Sequence, residues 1–66
     1  MNKETQLIWT RTRLLKYGFV TRNQALRSKI SRVAARIFDL REEGYDIEGE
    51  RIPRGDGRWD YKYILK

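Results

Sequence analysis

The 66 residues include no cysteine and no histidine. The first absence excludes disulfides and thiolate metal sites. The second excludes a zinc finger and any mechanism that needs imidazole. No apolar run approaches the roughly 18 residues of a membrane span. The polar start MNKETQ does not read as a signal peptide, so an intracellular location is expected. A chain this short is one domain at most, and it buries only roughly 60% of the surface that its unfolded form exposes. No internal repeat, linker or low-complexity segment interrupts it. Acids are missing from one long stretch: none occurs from Thr21 to Arg36.

What is present is positive charge, and its distribution is uneven. The net charge is +6, and residues 21–36 alone carry +5 through Arg22, Arg27, Lys29, Arg32 and Arg36. Residues 37–50 carry −5, and the segments before and after the two blocks carry +3 each. A surface built only for solubility interleaves its signs. Separation of this kind suits one face turned to a polyanion, nucleic acid first and an anionic membrane second.

Residues 5–17 read as a first helix. Thr5 is the expected N-cap, Leu7, Ile8, Leu14 and Leu15 the buried stripe, and Gly18 the stop. Phe19-Val20 is a short apolar link. Thr21 then caps a second helix from Arg22 to about Ser28, with Ala25 and Leu26 inward. Ser31 is the expected cap of a third helix, Arg32 to Glu43, which stops at Gly44. Val33, Ala34, Ile37, Phe38 and Leu40 are expected inside it, with Ser31, Arg32, Ala35, Arg36 and Asp39 opposite. Alternation from Tyr45 to Glu48 predicts a half-buried strand. The run Pro53-Arg54-Gly55-Asp56-Gly57-Arg58 predicts a hairpin tip. Trp59, Tyr61, Tyr63 and Leu65 then share one face of a last strand. Three helices and a hairpin in this order predict an α+β winged helix-turn-helix, a single domain over residues 1–66.

In such a fold the third helix is the reader, because its N-terminal residues meet base edges in the major groove. Ser31, Arg32, Ala35 and Arg36 are its candidates. Arginine can donate two bonds to guanine, and a small alanine allows close approach or touches a thymine methyl. Arg22, Arg27 and Lys29 are candidates for phosphate, which fixes register without carrying sequence information. Thr21 and Asn23 can add neutral bonds there. Arg54 and Arg58 flank the hairpin tip, where they suit an adjacent minor groove. The acids Glu42, Glu43, Asp46, Glu48 and Glu50 are too scattered for a metal site or a catalytic pair. No catalytic residue, metal, cofactor or small-molecule substrate is expected, and the chain does not read as an enzyme.

The segment ALRSKISRVAARIFDLREEGYDIE, with a basic glycine-containing tip and a last strand ending YKYIL, resembles small phage and prophage helix-turn-helix proteins of winged-helix type. The resemblance spans roughly residues 5–65. It implies that the helix beginning SRVAAR reads DNA, with Arg32, Ala35 and Arg36 exposed. Taken with the charge pattern, the chain is read as a regulator of transcription or an excisionase-like accessory factor, in the cytoplasm or nucleoid of a bacterial host. The turn Ser28-Lys29-Ile30 departs from the better-known pattern in having no glycine. Double-stranded DNA is therefore the expected partner. One module buries only about 600–1,000 Å² on DNA, so pairing or arrays on the duplex are expected. The rival reading is a protein-interaction module that binds and inhibits a host protein such as RNA polymerase.

Overall fold

The computed structural model describes residues 2–66. Helix α1 runs from Lys3 to Tyr17. Its cap is Asn2, whose side-chain oxygen accepts from the Thr5 amide at 2.8 Å, so the helix starts a turn earlier than Thr5 would have it. Asparagine is as good a cap as any residue, and Glu4 in the first turn faces the positive end of the helix dipole. The buried stripe also differs from expectation. Thr10 and Leu14 are buried and Leu7 partly so, while Ile8 and Leu15 are 52% and 60% exposed. The Thr10 hydroxyl donates to the Gln6 carbonyl at 2.8 Å. With its polar atom satisfied inside the helix, this small residue permits the close contact that the leucine pair was expected to make.

Strand β1 is Phe19–Thr21, and helix α2 is Arg22–Arg27. Thr21 closes a full capping box: its hydroxyl accepts from the Gln24 amide, and the Gln24 side chain accepts from the Thr21 amide. Helix α2 ends in a Schellman motif. The Ile30 amide donates to the Ala25 carbonyl at 2.8 Å and the Lys29 amide to the Leu26 carbonyl at 3.0 Å. Lys29 takes the left-handed position, at φ 63°, where the familiar turn places glycine. Ile30 and Ala25, the apolar pair that accompanies such a motif, are both fully buried.

Helix α3 is Val33–Glu42. Its cap position is Arg32 and not Ser31, and no side chain bonds to its first amides. Gly44 at φ 105° ends it with a second Schellman pair, Tyr45 to Leu40 and Gly44 to Arg41. Strands β2 (Ile47–Pro53) and β3 (Trp59–Leu65) form the hairpin, and β1 adds to the other edge of β3, giving the antiparallel order β1-β3-β2. Val20 and Gly49 both face Tyr63 in register. A Cβ at Gly49 would lie 2.8 Å from the Tyr61 hydroxyl, so glycine there leaves room for that ring, which stacks on Tyr63 at 5.1 Å. The core joins all the elements: Leu14, Val20, Ala25, Ile30, Val33, Ile37, Leu40, Ile47 and Tyr63.

Candidate nucleic-acid interface

The cations of the helix-turn-helix sort into two groups. Arg22, Arg27, Lys29 and Arg32 are exposed, as is Ser31. None of these four cations has an ionic partner among the described residues. Arg27, Lys29, Ser31 and Arg32 are fixed together by the Schellman turn, which sets them around the start of α3. The amides of that start have no side-chain acceptor, which leaves the positive end of a ten-residue helix open to an anion.

Arg36 belongs to the other group and corrects the expected reading face. Its side chain is only 13% exposed, with Nε 3.2 Å from Asp39 Oδ2 and Nη1 donating to Gln6 at 3.4 Å. The contact with Asp39 is one of charge alone, since neither atom finds an aligned hydrogen bond. Lys3 adds a weaker contact to Asp39 at 3.8 Å. Arg36 therefore fastens α3 to α1. The reason lies in the width of the buried arc. Val33, Ile37 and Leu40 fill it, which turns Ala34 and Phe38 outward and carries Arg36 round against α1. Ala35 lies between these limits, half-buried.

The hairpin tip is exposed throughout. Gly55, Asp56 and Gly57 all have positive φ, and Arg54 and Arg58 close the turn through a 2.9 Å bond from the Arg54 amide to the Arg58 carbonyl. Arg58 makes a loose 3.8 Å contact with Asp56. Two residues further on, Asp60 is 3% exposed, and its Oδ1 accepts from the Asn23 amide at 3.1 Å and the Tyr61 amide at 2.8 Å. This strand carboxylate caps the second residue of α2. It ties the base of the hairpin to the helix that carries Arg22. Sequence reasoning missed that role, and a lone aspartate in an alternating strand gives no signal of it. Thr21, a candidate for a neutral bond to DNA, uses its hydroxyl oxygen as an acceptor in the capping box.

Three acids are neutralised away from the turn. Asp39 meets Lys3 and Arg36, Glu43 meets Arg11 at 2.9 Å, and Glu48 meets Lys66 at 2.8 Å. The Lys66 ammonium holds the Glu48 carboxyl below its ordinary range. No group of potential metal ligands occurs among the described residues, and no helix there is long and apolar enough to cross a membrane.

Residues 9–65 match the family model described as a winged helix-turn-helix domain. The chain belongs to this family. That membership agrees with three helices, a helix-turn-helix pair and a hairpin wing, and it makes DNA binding the general function of the fold. No curated protein and no solved structure matches the chain. In this winged helix-turn-helix, α2 and α3 form the helix pair and the β2–β3 hairpin is the wing.

Proposed function

We propose that this winged helix-turn-helix binds double-stranded DNA in a sequence-specific manner. It would act as a phage- or prophage-derived transcriptional regulator or an excisionase-like accessory factor. One observation carries the reading. Asp39, Glu43 and Glu48 are paired with Lys3, Arg11 and Lys66 from the chain's two ends, while Arg22, Arg27, Lys29 and Arg32 are exposed without an ionic partner among the described residues. The mechanism follows from their placement. The start of α3 enters the major groove, and Ser31, Arg32 and Ala35 come nearest to base edges. Arg22, Arg27 and Lys29 hold phosphates, and Arg54 and Arg58 reach the adjacent minor groove. Pairing of two copies on the duplex supplies the specificity that one small module lacks.

Duplexes selected from a random pool and titrated by fluorescence anisotropy test this. Six engaged cations give a slope of log affinity against log salt of about −5. Arg32→Ala lowers the slope by about one, whereas Arg36→Ala lowers the melting temperature and leaves the slope in place. A complex with a host protein that ignores salt, together with no shift of any duplex, would establish the protein-interaction reading instead.

A further inference from the structure

The outward face of α3 differs in chemistry from the turn before it. Val33, Ile37 and Leu40 are buried, and Arg36 and Asp39 are taken up against α1. Ala34, Ala35, Phe38, Arg41 and Glu42 remain. The Arg41 Nε donates to the Ile47 carbonyl at 3.0 Å, which directs it toward β2. Phe38 is 60% exposed and has no ring partner among the described residues. Helical side chains lean toward the N-terminus, so a ring at Phe38 lies over the turn that carries Ala34 and Ala35. The first two turns of the reading helix thus present two methyls and a phenyl ring, bordered at the N-terminal end by Lys29 and Arg32.

This patch itself offers nothing that hydrogen-bonds to a base edge, and Lys29 beside it suits phosphate. In the major groove the apolar feature among the base edges is the C5-methyl of thymine. We infer that α3 reads thymine through that methyl group. Phe38 is the specificity-determining residue, and the small side chains of Ala34 and Ala35 let the helix approach closely. The inference rests on the DNA-binding reading above and adds its base preference.

The test replaces thymine by uracil in a selected duplex, which removes the methyl group and leaves every hydrogen-bonding group in place. The parent protein should lose about fourfold in affinity for each contacted methyl. Phe38→Ala, a change at an exposed position whose fold is checked by circular dichroism, should bind the thymine duplex more weakly and distinguish thymine from uracil little or not at all. Equal binding of the two duplexes by the parent, with salt dependence intact, would overturn the inference and leave the DNA-binding reading standing. Discrimination that survives in Phe38→Ala would overturn the assignment to Phe38. Failure to bind any duplex would overturn both readings together.

Discussion

Lys29→Gly separates what this turn does for stability from what it does for binding. Helices α2 and α3 both end in Schellman motifs, one with lysine at φ 63° in the left-handed position and the other with glycine at φ 105°. A side chain in that conformation costs about 1–2 kcal/mol, because its Cβ crowds the following carbonyl. Glycine returns about 0.5–1 kcal/mol of this through the greater freedom of its unfolded chain. The net gain is about 0.5–1 kcal/mol, which raises the melting temperature of a domain this size by about 2–8 °C. If Lys29 holds a phosphate as proposed, the same substitution lowers the salt slope by about one. Two controls isolate the causes. Lys29→Ala keeps the backbone strain and loses the charge, so its slope falls without the thermal gain. Gly44→Ala imposes the strain where none exists. A Cβ there meets nothing within 4 Å, so its cost of about 1 kcal/mol is backbone alone. Thermal unfolding followed by circular dichroism, with anisotropy at several salt concentrations, reads both effects. A melting temperature for Lys29→Gly at or below that of the parent would refute the reasoning.

Asp60→Ala takes the acceptor from two partly buried amides and should cost about 1–3 kcal/mol in urea unfolding, while Asp60→Asn keeps an acceptor and should cost about 0.5–1. Equal losses in the two would show that charge and not hydrogen bonding sets the effect. Gly49→Ala should push the Tyr61 ring off its stack on Tyr63, seen as a loss of near-ultraviolet ellipticity; an unchanged spectrum would mean the ring has room to spare. Burial raises the Tyr63 hydroxyl above the ordinary phenol range, an effect that nearby Tyr61 reinforces and Arg41 and Arg22 oppose. The folded state thus holds this proton longer than the unfolded one. The stabilisation is complete below the ordinary phenol pKa of about 10 and fades as pH rises through the raised value. Tyr63→Phe should flatten that alkaline decline in stability, and an identical decline in both proteins would assign it to other groups.

Much of the fold was legible because its signals are local. Thr21 caps α2, Gly18 and Gly44 stop helices, and the Asp56-Gly57 tip closes a hairpin. The errors arose where a third element decides. In α3, the run Val33, Ala34, Ile37, Phe38 and Leu40 is wide enough to face two directions. Only contact with α1 and the sheet narrows the buried set to Val33, Ile37 and Leu40. In α1, Leu15 matches the helical period as well as Leu14 does, yet Leu14 is buried and Leu15 is not. Asp60 depends on a contact between residues 37 apart in the chain. No window of sequence around Asp60 contains Asn23.

The rotation of α3 changes what the charge block from Thr21 to Arg36 can mean. Read as a string, five cations without an acid form one binding surface. In the folded chain the last of them turns inward and serves as a strut between α1 and α3. The four that stay in solvent lie on α2, on the turn and just before α3. The exposed groups of α3 itself are apolar in its first turns. The proposed mode of binding therefore gives long-range attraction and base recognition to different segments. On the proposed mode of binding, charge around the turn would draw in and orient the duplex, and the helix surface behind it would discriminate by shape and methyl contact. Such a division makes affinity strongly dependent on salt while base preference depends on it weakly. A preference that collapsed along with affinity as salt rose would mean that the cations around the turn, and not the apolar face of α3, do most of the reading.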